Sequence, residues 1–121
     1  MKILIVEDEQ LLAEMYRDRF LQEGFEVYLA SDSEEGFNLL QKNKPDIILL
    51  DILLPKENGV TFLEKLKKDP NFSSIPVVVF SNFDDPETKN KIRKLGVKDY
   101  LIKTNFTPQE IVEKVKKVLE K

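Results

Sequence analysis

The chain contains no cysteine, no histidine and no tryptophan, and only four glycines among its 121 residues. The lack of cysteine excludes disulfides and thiol catalysis. The lack of histidine excludes imidazole acid–base catalysis, histidine metal sites and a phosphohistidine carried by this chain. Any metal that the chain binds must therefore be a hard cation that prefers oxygen ligands, such as Mg²⁺.

Strong net charge and long apolar runs are also absent. The net charge is −3, so no basic field is available to hold nucleic acid by its phosphates. No apolar run approaches the length of a signal peptide or membrane span. We therefore expect a cytoplasmic protein that binds neither nucleic acid nor membranes directly. With 41% hydrophobic and 34% charged residues, the composition is that of an ordinary globular chain, and the length predicts one domain over residues 1–121.

Short hydrophobic runs alternate five times with segments of helical periodicity. The runs at 2–6, 26–29, 47–50, 75–80 and 99–102 predict five strands, and the lack of polar alternation in most of them is typical of strands buried on both faces. Helix-start signals follow the second, third, fourth and fifth predicted strands. They are Ser31 with Glu34, Asn58, Asp85 with Pro86, and Thr107 with Glu110. This alternation predicts an α/β fold with a parallel sheet, a (βα)5 domain.

Polar residues follow four of the predicted strands directly. Glu7 and Asp8 follow the first strand, Asp51 the third, Ser81 the fourth and Lys103 the fifth. Taken singly, each has an ordinary role as a turn residue, helix cap or solvated cation. Together they would meet at the carboxyl edge of the sheet, where α/β proteins bind their ligands.

The set of groups at this edge is suited to phosphoryl transfer. Clustered carboxylates repel one another unless a cation neutralises them, and Mg²⁺ does so while leaving positions open for phosphate oxygens. An ammonium supplies a second positive charge for the transferring group. A carboxylate can itself be the nucleophile and become an aspartyl phosphate, and Asp51 is central in the chain.

The chain resembles the receiver domain of two-component response regulators, in its single-domain, chemotaxis-type form, over essentially its full length. The segments that carry the resemblance are Glu7-Asp8, Asp51 to Pro55 with Gly59, Ser81, and Gly96 to Lys103. The resemblance implies a flavodoxin-like three-layer sandwich, with a parallel sheet of strand order 2-1-3-4-5 and helices on both faces.

The resemblance also implies a role for each site residue. Asp51 would be the phosphoacceptor. Mg²⁺ would be bound by Asp8, Asp51 and the backbone carbonyl of Leu53, with Glu7 acting through a water molecule. The phosphoryl oxygens would be bound by Ser81, the backbone of Asn82 and Lys103. Ser81 and Tyr100 would form the switch, the ring moving inward when the hydroxyl moves.

The implied partners are proteins. A sensor histidine kinase or histidine phosphotransfer protein would supply the phosphoryl group, and a downstream protein target would read the face formed by the fourth helix, fifth strand and fifth helix. The chain would catalyse its own phosphorylation and a slow autodephosphorylation, so it is not a conventional enzyme. We expect a monomer when it is unphosphorylated, with dimerisation through the output face as an outcome of phosphorylation.

Several positions depart from the usual pattern of this family. Thr104 stands where a proline usually follows the lysine, and Asn82 stands where a small residue usually follows the hydroxyl. Leu53 and Phe83 place apolar groups two residues beyond Asp51 and Ser81, where they should obstruct an attacking water. We therefore expect slow loss of phosphate.

Two other functions remain open at the level of sequence. The first is a degenerate receiver that acts as a phosphate-independent interaction module, although such modules usually lack the acceptor aspartate or the lysine. The second is an α/β hydrolase with an aspartate nucleophile. It would need an acid–base group at the position of Leu53, which argues against it.

Overall fold

The computed structural model describes residues 1–120 and contains five strands and five α-helices in strict alternation. The strands are β1 (Lys2–Val6), β2 (Glu26–Ala30), β3 (Ile47–Leu50), β4 (Val77–Ser81) and β5 (Asp99–Ile102). The helices are α1 (Gln10–Gln22), α2 (Ser33–Asn43), α3 (Gly59–Lys68), α4 (Pro86–Lys94) and α5 (Pro108–Leu119), and a 3-10 turn covers Lys103–Asn105. Within the described residues, no helix is long and apolar enough to cross a membrane.

All five strands form one parallel sheet in the order β2-β1-β3-β4-β5. This is the predicted order, and it confirms the predicted fold. The chain moves outward from β1 to one edge and then crosses back to the other. The carboxyl ends of β1 and β3 are therefore adjacent at the centre of the sheet, where the crossover direction changes.

Alternate side chains of each strand enter two separate cores, because successive residues of a strand point to opposite faces. One core lies between the sheet and the helices α2, α3 and α4; its strand residues include Val6, Leu50 and Val79. The other lies between the sheet and the helices α1 and α5; its strand residues include Ile5 and Phe80. Both faces are covered, which is why the strand sequences read as continuous apolar runs.

Most helix ends follow the predicted signals. The side chains of Asn58, Asp85 and Thr107 accept hydrogen bonds from backbone N–H groups in the first turns of α3, α4 and α5, and Thr107 forms a full capping box with Glu110. Gly24, which follows α1, has a positive φ of 86°, as a helix C-terminal glycine does.

Two local predictions were wrong. The capping residue of α2 is Asp32 rather than Ser31. Asp32 Oδ1 accepts from the Glu35 N–H, and Glu35 Oε1 accepts from the Ser31 N–H, so two carboxylates one position later in the chain provide the acceptors. The helical spacing of the apolar residues between Leu11 and Leu21 predicts that both leucines pack inward with α1, but Leu11 is 80% exposed and Leu21 51% exposed. Helical spacing of apolar residues does not distinguish a residue at the border of an apolar stripe from one at its centre.

Gly59 brings the start of α3 against the end of β3. A Cβ atom at this position would lie 2.5 Å from the Asp51 carbonyl oxygen and 2.7 Å from the Ile52 Cα. Its N–H donates to the Ile52 carbonyl at 2.8 Å. Both steric neighbours are backbone atoms, so they can yield only if the loop that carries Asp51 moves.

Replacing this glycine should therefore destabilise the domain. We expect Gly59→Ala to lower the free energy of unfolding by about 2 kcal/mol, as overpacking against rigid atoms does, measured by urea denaturation. Gly36→Ala is the matched control, because its Cβ would meet side chains and not backbone, Phe62 at 3.0 Å and Val6 at 3.6 Å, and alanine favours the helix there. Equal stability losses in the two variants would contradict this explanation.

Candidate functional site

The sheet places the predicted polar residues together. Glu7 and Asp51 each lie one residue beyond the paired ends of β1 and β3, where Val6 is in register with Leu50. Lys103 follows β5 directly. By strand alternation, Glu7, Asp51 and Lys103 belong to the side of the sheet that faces α1 and α5, as does Phe80. The shared side brings an acid pair and an ammonium to one point.

Three carboxylates form a cluster at this point. One oxygen from each of Glu7, Asp8 and Asp51 lies within 4.8 Å of the others, with Glu7 and Asp51 buried and Asp8 exposed. The donors are all carboxylate oxygens, which suits Mg²⁺ and similar hard cations. The exposed position of Asp8 leaves the cluster open on the solvent side.

Lys103 connects the two buried acids. Its Nζ donates to Asp51 Oδ2 at 2.9 Å and also to Glu7 Oε1. The second oxygen of each acid accepts from the backbone: Asp51 Oδ1 from Leu53 N–H at 3.1 Å, and Glu7 Oε2 from Glu9 N–H at 3.2 Å. The Lys103 side chain is 10% exposed and that of Glu7 only 1%. Charge pairing therefore takes place largely out of water.

Burial and pairing act in opposite directions on these groups. Burial raises the pKa of Glu7 above its ordinary value by more than the Lys103 ammonium lowers it. Burial acts to lower the pKa of Lys103, but its hydrogen bonds to Glu7 and Asp51 and their charges raise it overall. The ammonium is thus firmly charged, whereas one lysine does not fully compensate the buried Glu7 carboxylate.

An aromatic pair that was not predicted from the sequence packs against the lysine. Lys103 Nζ lies 4.7 Å from the centroid of the Phe80 ring, within cation–π range. The ring of Tyr16, from α1, packs edge-on against Phe80 with centroids 5.1 Å apart. Strand alternation could have revealed this contact, because Phe80 is on the same side of the sheet as Asp51 and Lys103.

Ser81 and Tyr100 belong to the opposite side and are linked through the loop after β4. Ser81 is fully buried, and its Oγ accepts from Phe83 N–H at 3.2 Å. The Tyr100 hydroxyl donates to the Phe83 carbonyl at 2.6 Å, and Tyr100 as a whole is 8% exposed. The aromatic ring expected to move inward is therefore already buried here, and the backbone of Phe83 connects it to the Ser81 hydroxyl.

The two loops that flank the site are joined by Asn82. Its Oδ1 accepts from the backbone N–H of Thr104 at 3.1 Å. Lys103 reaches the acid pair without a following proline, from a 3-10 turn in which all peptide bonds are trans. Two of the positions at which the sequence departs from the expected pattern, Asn82 and Thr104, are thus in contact with each other.

A doubly wound parallel sheet with an acidic cluster and a lysine at its carboxyl edge is the arrangement expected of a phosphoacceptor signalling domain. Comparison with known proteins gives the same class: the model of the response regulator receiver domain family matches residues 3–116. The chain belongs to this family, whose members act as phosphorylated switches in two-component signalling and bind Mg²⁺ at an acidic pocket.

The relatives are similar along the whole chain. The phosphate regulon transcriptional regulatory protein PhoB of Escherichia coli is 35% identical over 120 residues, covering 99% of this chain and 52% of PhoB. The alkaline phosphatase synthesis transcriptional regulatory protein PhoP of Bacillus subtilis is 32% identical, covering 99% of this chain and 49% of PhoP. The chain thus spans about half the length of these curated relatives.

Solved structures match over nearly their full length. A two-component response regulator from Clostridium difficile superposes with a TM-score of 0.90 at 26% identity, covering 100% of this chain and 97% of that one. A CheY-like response regulator receiver domain protein from Methanospirillum hungatei also gives 0.90 at 26% identity, covering 98% and 93%.

The buried position of Lys103 leads to a stability prediction. Lys103→Met leaves Glu7 and Asp51 without their shared cation, so we expect the free energy of unfolding in EDTA to fall by about 3 kcal/mol, as when a buried ion pair loses one partner. Lys116→Met is the control, because Lys116 pairs with Glu23 at 2.8 Å on the surface, where ion pairs contribute little, so this variant should lose much less stability than Lys103→Met. Similar losses by urea denaturation would contradict the proposed shared pairing.

Proposed function

We propose that this chain is a phosphoacceptor switch in which Asp51 receives a phosphoryl group from a phosphohistidine on a sensor histidine kinase or phosphotransfer protein. The observation that carries the proposal is the position of the Asp51 carboxylate, which is bonded to Lys103 and lies within 4.8 Å of the Glu7 and Asp8 carboxylates. A nucleophilic oxygen, an ammonium and a hard-cation site are thus combined in one pocket.

The acidic cluster fits Mg²⁺. Asp8 and Asp51 would bind the ion directly together with the Leu53 backbone carbonyl, and Glu7 would act through a water molecule. When bound, Mg²⁺ supplies positive charge for the phosphoryl oxygens. The uncompensated charge of buried Glu7 supports this assignment, because a second cation would relieve it.

The residues of the chain can perform the transfer. An Asp51 carboxylate oxygen attacks phosphorus and forms the new P–O bond, while the P–N bond to the partner's imidazole breaks and its electron pair stays on that nitrogen. Lys103 turns from the carboxylate to a phosphoryl oxygen and stabilises the charge that develops there. Ser81 and the backbone N–H of Asn82 would donate to other phosphoryl oxygens.

The signal would then reach the protein surface through β4 and β5. The phosphoryl group adds roughly two negative charges, which favour the state in which the Ser81 hydroxyl points toward it. The Phe83 N–H donates to the Ser81 hydroxyl, and the Phe83 carbonyl accepts from the Tyr100 hydroxyl. Displacement of the Ser81 hydroxyl would therefore shift the Tyr100 ring through the backbone of Phe83. We place the output on α4, β5 and α5, read by a downstream protein target, with a resting monomer and dimerisation as an outcome of phosphorylation. The activity is self-phosphorylation, not turnover of a free substrate.

A single substitution tests the acceptor. With Mg²⁺ and acetyl phosphate, intact-mass spectrometry should detect one added phosphoryl group on the wild-type chain and none on Asp51→Asn. Amide NMR with Mg²⁺ and beryllofluoride should show coupled shifts around Asp51, Ser81 and Tyr100 that are absent from the variant.

The control for this experiment is Asp18→Asn, which alters an exposed aspartate on α1 paired with Arg17 and should be phosphorylated like the wild type. Modification of Asp51→Asn at wild-type level would refute the acceptor assignment. Mg²⁺ binding with no response to beryllofluoride or acetyl phosphate would instead favour the phosphate-independent interaction module.

Apolar side chains at the pocket should slow the loss of phosphate. Leu53, which is 52% exposed, lies two residues beyond Asp51, and Phe83 lies two residues beyond Ser81. Neither side chain has a polar atom that can orient an attacking water. We expect a phosphoryl half-life of minutes or longer, and a shortening of about three- to tenfold in Leu53→Asn, a change of roughly 1 kcal/mol in the barrier.

Leu21→Asn provides a matched control for the lifetime, because Leu21 is 51% exposed but lies at the far end of α1. The decay of the phosphorylated mass at neutral pH after removal of acetyl phosphate gives the half-life. Decay of the wild-type chain within seconds would show that the apolar groups do not protect the phosphate.

A further inference from the structure

The turn that begins at Lys103 is attached through its backbone to a side chain of the loop after β4. Thr104 N–H donates to Asn82 Oδ1 at 3.1 Å across 22 residues of sequence. The 3-10 turn Lys103–Asn105 has no side-chain cap of its own, and Thr104 and Asn105 are exposed. A proline at position 104 would have no N–H to donate, so this bond depends on a residue other than proline there.

We propose that Asn82 is a positioning residue for Lys103: its side chain holds the Thr104 N–H and so fixes the turn that aims the ammonium at Asp51. Two of the departures from the receiver pattern are complementary, because Thr104 provides the donor and Asn82 the acceptor. This role rests on the proposed function, in which Lys103 stabilises the phosphoryl group on Asp51.

Three consecutive residues, the last two of β4 and the first residue after it, then contribute to one site. The Phe80 ring makes a cation–π contact with the Lys103 ammonium, with 4.7 Å between Nζ and the ring centroid. Asn82 holds the next residue of the lysine turn by its backbone. Ser81, the proposed switch hydroxyl, lies between them. A backbone displacement at Ser81 toward a phosphoryl group would therefore also act on Phe80 and Asn82, the two residues that support the lysine and its turn.

The direct test is amide hydrogen exchange by NMR. The Thr104 amide should be protected in the wild-type chain, should exchange about fivefold faster in Asn82→Ala, as expected for the loss of one partly solvated hydrogen bond, and should stay protected in Asn82→Asp, which keeps an acceptor oxygen. The ring current of Phe80 should also shift the ε-methylene protons of Lys103 upfield, and Asn82→Ala should reduce this shift. An unprotected Thr104 amide in the wild-type chain would overturn the proposal.

A double-mutant cycle separates this role from a direct contact of Asn82 with phosphate. We expect Asn82→Ala to slow phosphorylation by acetyl phosphate about threefold, the scale of one such hydrogen bond. In the Thr104→Pro background, which lacks the donor, the same substitution should have no effect. Thr104→Ala keeps the N–H and should leave the rate unchanged.

Each outcome of the cycle has a definite meaning. A slowing by Asn82→Ala that is equal with and without the Thr104 N–H would overturn the proposal, because the side chain would then act on the phosphate itself. If Thr104→Pro disturbs the turn, the amide-exchange comparison of Asn82→Ala with Asn82→Asp still decides. A wild-type chain that acetyl phosphate does not modify would overturn the proposed function, whereas the exchange data would still report on the Asn82–Thr104 bond.

Discussion

The sharing of the Lys103 ammonium between Glu7 and Asp51 is the interaction on which the rest of the site depends. Buried carboxylates 4.8 Å or less apart repel strongly unless a positive charge lies beside them. The residues come from three strands that are far apart in sequence, so the order β1-β3-β4-β5 is what brings them together. The pocket therefore exists only when β1, β3, β4 and β5 are paired in the sheet.

Much of the fold could be predicted from the sequence, because its signals are local and repeated. Apolar runs that are buried on both faces indicate parallel strands, and caps such as Asn58, Asp85 and Thr107 act within one helical turn. The strand order came from the family resemblance, since periodicity does not encode which strands are neighbours. The errors fall where two residues of similar chemistry are adjacent, as with Ser31 and Asp32, or where an apolar residue lies at the border of a stripe, as with Leu11.

The site could be predicted only in part. Residues that end strands were recognisable by position, and the structure brings Glu7, Asp8, Asp51 and Lys103 together. What the sequence did not reveal are the supports: the Phe80 ring under the ammonium and the Asn82 side chain on the Thr104 backbone. Such contacts depend on side-chain direction and on loop geometry. The first follows from alternation along β4 once the register is known, whereas the second depends on the conformation of two loops.

The alternation at the end of β4 separates two sets of side chains that serve different purposes. The charged groups and Phe80 face the layer of α1 and α5, while Ser81 and Tyr100 face the layer that contains α4. Substitutions that change what α4 presents to solvent therefore leave the packing beneath the ammonium untouched. The surface of α4 can therefore diverge between related chains while the contact between the Phe80 ring and the Lys103 ammonium stays the same.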